Sequence, residues 1–91
     1  MDRTKLVNEI VDFCIEYGLF KSISKIDELK KRIAYQLNDS AFVESLINTV
    51  IVKSKRYGTM ADEKIVDLIV ELEKVRLDLE YSGESNDTNY L

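Results

Sequence analysis

Histidine is absent from this chain of 91 residues. Its absence removes the side chain that most often serves as general base, proton shuttle and metal ligand in proteins. The carboxylate metal sites of helical bundles need Glu-x-x-His pairs and are excluded for the same reason. The sequence also has no glycine-rich phosphate-binding loop. We therefore predict a protein that is not an enzyme and that has no catalytic residues, no cofactor and no metal site.

A single cysteine, Cys14, excludes an internal disulfide, so nothing in the sequence requires an oxidising compartment. Cys14 falls among the apolar positions of the first predicted helix, and we expect a buried, unreactive thiol. No apolar run approaches the roughly 18–20 residues that span a membrane. The first residues mix acidic with apolar side chains, unlike a secretory signal. We expect a cytoplasmic protein that does not insert into membranes.

Proline is also absent and glycine occurs only three times, which favours long helices over a turn-rich β fold. Apolar residues recur every three to four positions in four segments that are separated by short polar connections. The predicted fold class is all-α: a compact antiparallel four-helix bundle over residues 1–81, with a flexible acidic and polar tail over 82–91. The four helices are predicted at about 4–17, 25–37, 40–57 and 60–81.

Small polar residues precede each predicted helix, and glycine follows two of them. Gly18 and Gly58 are placed where a helix can end in a left-handed residue. The residues predicted to cap the four N-termini are, in chain order, Asp2 or Thr4, Ser24, Asp39 or Ser40, and Thr59 or Met60.

The fourth predicted helix carries two apolar stripes. The main stripe has the alternating spacing of three and four residues that packs a helix against its neighbours, and it consists of Ile65, Leu68, Leu72, Val75 and Leu79. The second stripe lies about 100–160° around the helix from Ile65 and consists of Val66, Val70, Leu77 and Tyr81. A small bundle needs one stripe from each helix, so the second stripe is either additional core or a binding surface.

Charge is distributed unevenly along the chain. Residues 1–59 contain ten Lys or Arg and eight Asp or Glu, whereas residues 60–91 contain three and nine. An acidic C-terminal third is suited to a basic protein surface and not to nucleic acid. Solubility alone also explains an acidic surface, and this simpler explanation stays open.

These patterns predict a small non-enzymatic module that binds and blocks another protein, as an immunity protein, an antitoxin or a phage-type inhibitor does. The mechanism would be occlusion by helix 4 and the acidic third, with apolar anchors and carboxylates that steer toward a basic partner. The predicted partner-binding residues are Val52 on the third helix and Val66, Val70, Glu73, Leu77, Asp78, Glu80 and Tyr81 on the fourth.

Two other functions remain open. The basic clusters 30–32 and 53–56 lie on consecutive predicted helices, so the chain could be a small nucleic-acid-binding regulator. Against this, Ala41, Phe42, Val43 and Glu44 are poor base-reading residues for the start of a recognition helix. The third possibility is a homodimeric structural or assembly subunit that pairs through the fourth helix.

Three stretches resemble the pediocin-like bacteriocin immunity proteins, which are small cytoplasmic four-helix bundles with a loose C-terminal tail. They are KIDELKKRIAYQL, FVESLINTVIVKSKRYG and DEKIVDLIVELEKVR, followed by a polar tail that ends in Tyr90 and Leu91. The resemblance is one of layout over roughly residues 5–91. It implies a protein that protects its producer by blocking a toxin–receptor complex, with specificity in the C-terminal half.

Overall fold

The computed structural model describes residues 1–20 and 25–88, with side chains up to Tyr81. These residues form four helices and no strand: α1 (Arg3–Glu16), α2 (Ile26–Gln36), α3 (Ser40–Tyr57) and α4 (Glu63–Thr88). The predicted all-α class with four helices is confirmed. The chain divides into two compact units, Met1–Gln36 and Leu37–Leu91.

The first unit pairs α1 with α2. Helix α1 begins after Asp2 because an Asp2 carboxylate oxygen accepts a hydrogen bond from the Lys5 amide at 2.8 Å, as predicted. It ends at Glu16 with Tyr17 as its C-cap, and the next residue, Gly18, has a φ of 69° that glycine adopts without strain. The predicted cap of α2, Ser24, lies outside the described residues.

Helix α1 is apolar over most of its circumference. Its Phe13 ring stacks on Tyr17 with centroids 4.2 Å apart, and α2 adds the buried Ile33. The buried residues of α1 are Leu6, Val7, Ile10, Val11, Phe13 and Cys14. A helix with so many buried residues is stabilised mainly by packing against its neighbours and less by intrinsic helix propensity.

In the second unit, α3 packs against α4. Asp39 caps α3 by accepting the Ala41 amide at 3.0 Å, and Gly58 ends the helix in the left-handed conformation with φ of 71°. Both roles agree with the sequence prediction, and so do the bounds of α3. The five residues 58–62 then return the chain, which makes α3 and α4 a helical hairpin.

The start of α4 differs from the prediction. The helix begins at Glu63 and not at residue 60, and its cap is Asp62, which accepts the Lys64 amide at 3.0 Å. Thr59 belongs to the preceding turn, where its carbonyl accepts the Asp62 amide at 2.9 Å. Residues 60–62, which the sequence analysis had placed at the start of the helix, therefore belong to the connection that follows the left-handed Gly58.

The end of α4 also differs, because the helix continues past the predicted end at Tyr81 to Thr88. Gly83 and small polar residues lower helix propensity there, but none removes a backbone donor as proline would. The flexible tail predicted for 82–91 is therefore not confirmed, and residues 89–91 lie outside the described residues.

The predicted main stripe of α4 is buried in its first half. Ile65, Leu68 and Leu72 are buried, whereas Val75 and Leu79 are only half-buried. The residues of α3 that are buried in the same unit are Val43, Leu46, Ile47, Val50 and Ser54. The Ser54 hydroxyl donates to the Ile51 carbonyl at 3.0 Å, so its burial leaves no unsatisfied polar group.

Candidate protein-binding surface on α4

The second stripe of α4 is exposed. Val66, Val70 and Leu77 expose 43%, 45% and 42% of their surface, and Tyr81 exposes 65%. Their spacings of four, seven and four residues keep all four side chains within about 60° of one another around the helix. The sequence left open whether this stripe is core or surface, and in the described part of the chain it is surface.

An ion-pair network runs along one edge of this stripe. Arg76 donates to the Glu73 carboxylate from Nη2 at 2.7 Å and from Nε at 3.1 Å, and to the Glu80 carboxylate from Nη1 at 2.6 Å. The hydrogen bond to Glu73 is the main reason that the pKa of Arg76 is raised above its ordinary value, and the charge of Glu80 adds to the effect. We call Glu73, Arg76 and Glu80 the α4 charge triad.

The charge triad fixes two carboxylates at defined positions along the stripe. Glu73 lies between Val70 and Leu77 on the same side of the helix, and Glu80 precedes Tyr81. Two negative charges and one positive charge leave the triad with a net charge of about −1. The surface is therefore apolar along its axis and bordered by carboxylates, with Asp78 as a further exposed carboxylate and Lys74, which pairs with Glu71 at 3.2 Å, as a cation beside the apolar row.

Val52, the eighth predicted site residue, is 63% exposed but belongs to a different surface. It borders a shallow depression of about 320 Å³ on α3, together with Ser45, Asn48, Thr49 and Lys53. None of the predicted α4 residues lines this depression in the described chain. The structure thus brings seven of the eight predicted site residues onto one helix and leaves Val52 apart.

Sequence reasoning missed two exposed aromatic residues. Tyr35 on α2 is 80% exposed, and Tyr57 at the end of α3 is 57% exposed, although it continues the apolar spacing of that helix seven residues after Val50. Tyr57 is the last residue of α3 and is followed at once by the left-handed Gly58. Helical periodicity predicts burial less well at the last residue of a helix, because the regular backbone ends there.

Cys14 is 5% exposed, and burial raises the pKa of its thiol to about 11. The predicted burial is confirmed. In the described residues no group of three or more Cys, Asp or Glu side chains is arranged to hold a metal ion. None of the described helices is long and apolar enough to cross a bilayer.

The thiol of Cys14 is expected to react with a thiol-specific disulfide reagent at pH 8 at least about 100-fold more slowly in the native protein than in denaturant. The reason is that a pKa near 11 leaves far less thiolate than an ordinary thiol has at this pH. Absorbance of the released reagent measures the rate, and the same protein in concentrated guanidinium chloride is the control. Equal rates in the two states would show that Cys14 is accessible and reactive.

The chain has no significant match to any protein-family model, curated protein or solved structure. The surface described above is therefore interpreted from its own chemistry.

Proposed function

We propose that this protein is a small non-enzymatic module that binds and blocks another protein through α4. The observation that carries this proposal is the row of four exposed apolar side chains on one face of that helix, Val66, Val70, Leu77 and Tyr81. Such a row is the arrangement by which one helix face supplies anchors to a groove on a partner. The blocking role belongs to the class of immunity proteins, antitoxins and phage-type inhibitors, in keeping with the resemblance of the sequence to the pediocin-like bacteriocin immunity proteins.

The mechanism of the proposed module is steric and electrostatic. Tyr81 is of a type enriched in binding hot spots and combines a large apolar surface with a polar tip. Glu73, Glu80 and Asp78 surround the anchors, in a segment where residues 60–91 carry six more acidic than basic side chains. A basic patch on the partner would therefore be attracted at long range and then covered.

Charge favours a different protein as partner over a second copy of this chain. Pairing two α4 faces would bring together two sets of Glu73, Asp78 and Glu80, and juxtaposed like charges disfavour an interface. The homodimer nevertheless remains an alternative, because the exposed stripe is the same in either case. A nucleic-acid-binding role remains a second alternative, since Lys31, Arg32, Lys55 and Arg56 are exposed.

The decisive experiment compares two double variants in capture from the native host. Val70→Asp with Tyr81→Ala removes two anchors and adds one carboxylate on α4. Tyr35→Ala with Asn38→Asp is the matched control, because it also removes an exposed tyrosine and adds one carboxylate, but at residues that do not belong to α4. The wild type and the control are expected to capture the same target and to inhibit it, whereas the α4 variant does neither, with far-UV helicity equal in all three.

Each alternative gives a different result in the same experiment. If the protein captured its target without reducing the target's activity, the proposed blocking role would be wrong. If the α4 variant unfolded, the second stripe would have to be assigned to the core. Light scattering that shows a dimer in the wild type and a monomer in the α4 variant would favour self-association. Salt-sensitive binding to DNA or RNA that Lys31→Glu with Lys55→Glu abolishes would favour the nucleic-acid role.

A further inference from the structure

The first unit contains a surface cavity of about 250 Å³, and none of its described lining residues belongs to α4. It lies between α1 and α2. Arg3 on α1 and Lys30 and Lys31 on α2 contribute three positive charges to its lining, and Val7 and Ala34 contribute apolar surface. None of its described lining residues is acidic.

The two lysines are available to a ligand. Among the side chains that the structure describes, those of residues 1–20 and 25–81, neither Lys30 nor Lys31 forms an ion pair with a carboxylate. Lysines that line a concave site raise the local positive potential and attract anions, because a low-dielectric wall concentrates the field. This local charge is opposite to the net charge of −4 of the whole chain.

The apolar part of the lining favours a ligand with an apolar component. Val7, which is 6% exposed, and Ala34, which offers a methyl group, contribute hydrocarbon to the lining. Thr4 and Asn8 also line the cavity and can donate and accept hydrogen bonds. A free inorganic anion would contact only the cations and the polar groups, whereas an anion attached to an apolar group would also cover the apolar part of the lining.

Size limits the ligand further. A volume of about 250 Å³ is below the roughly 300–1,000 Å³ of pockets that enclose a drug-sized ligand. It is suited to one large side chain of a peptide, with a carboxylate next to it on the rim. Base stacking needs an aromatic platform, and the described lining contains no aromatic ring. The lining therefore favours peptide over nucleic acid.

We infer that the α1–α2 cavity binds an acidic peptide segment of another protein, in which a carboxylate meets Lys30 and Lys31 and a neighbouring apolar side chain covers Val7 and Ala34. This site goes beyond the α4 surface, because it selects a ligand of the opposite charge and lies in the other unit of the chain. Its test is also independent of the α4 target.

The probe is a fluorescein-labelled peptide of eight residues that alternates Glu and Leu, titrated with the full chain at low salt and followed by anisotropy. Saturable binding is expected, and Lys30→Gln with Lys31→Gln is expected to weaken it at least about tenfold. Lys53→Gln with Lys55→Gln removes the same charge from α3 and is the matched control. It is expected to change the affinity less than about twofold.

A second variant tests the cavity without changing charge. Ala34→Leu enlarges an exposed side chain that lines the cavity and reduces the space in it, so we expect lost peptide binding with unchanged helicity and melting temperature. The inference is overturned if the peptide does not bind at low salt, if both lysine pairs weaken it equally, or if a peptide with Gln in place of Glu binds as tightly. It is equally overturned if a single-stranded oligonucleotide binds more tightly than the peptide.

Discussion

Replacing Val50 by aspartate is expected to unfold the second unit of the protein. Val50 is 1% exposed on α3, and the carboxylate would have no basic side chain beside it among the buried residues of α3. Burying an unpaired charge costs several kcal/mol, while the whole stability of a small domain is only about 5–15 kcal/mol. We expect a loss of at least about 4 kcal/mol in the free energy of unfolding, measured by urea denaturation with circular dichroism.

Val52→Asp is the matched control for this variant. It makes the same substitution two residues further along the same helix, at a position that is 63% exposed. The carboxylate stays in water there, so the expected loss is about 1 kcal/mol or less, mainly from lower helix propensity. If both variants unfolded alike, the outer face of α3 would be core, and Val52 would be removed from the candidate binding residues.

The substitution Leu72→Ala is expected to cost about 2–5 kcal/mol of stability. Leu72 is 0% exposed in α4, so its removal loses apolar contacts and leaves a cavity. Leu77 is on the same helix and is 42% exposed, so Leu77→Ala makes the same chemical change with an expected cost below about 1 kcal/mol. Thermal unfolding of the two variants measures the difference.

This pair of leucines also separates folding from binding. Under the proposed function, Leu77→Ala weakens capture of the target although it hardly changes the melting temperature. Leu72→Ala is expected to act in the opposite way, with a lower melting temperature but normal capture at a temperature where it is still folded. Equal destabilisation by both would contradict the division of α4 into a core stripe and a binding stripe.

The helices of this protein follow from local sequence signals to a large extent. The bounds of α3, from Ser40 to Tyr57, are those predicted, because a carboxylate cap precedes the apolar period and a left-handed glycine follows it. Helix α4 was harder to delimit at both ends. Several residues before Glu63 are acceptable caps, so the start of the helix depends on the turn that precedes it. No residue after Tyr81 forbids a helix, so the sequence does not define where the helix ends.

The sequence predicts which side of α4 is buried, but it does not predict how far along the helix the burial extends. Periodicity identified the buried side, yet Val75 and Leu79 are only half-buried although they continue the spacing of Leu72. A heptad pattern states which side of a helix faces its neighbours, but not how far along the helix those neighbours reach. For the same reason, the exposure of Val66 and Val70 could be suspected from sequence and not established.

The cavity that holds Lys30 and Lys31 could not be predicted. Its two walls come from residues 3–8 and 30–34, which are distant in the chain and share no motif. In sequence the lysines form part of a basic run, which suggests a solvated or nucleic-acid-binding face. Only the packing of α1 against α2 brings Arg3 and Val7 into the lining of the same cavity as the two lysines.

Arg76 gives the α4 surface a built-in counterion. The carboxylates of Glu73 and Glu80 are already paired with Arg76. A basic side chain of a partner that bound either carboxylate would therefore replace Arg76, so that one cation is exchanged for another. Such an exchange releases few ions into solution, and the lifetime of a complex at this surface would then depend little on salt. The remaining acidic residues of the segment would set the rate of encounter, which salt does slow, and the apolar anchors would set the rate of release.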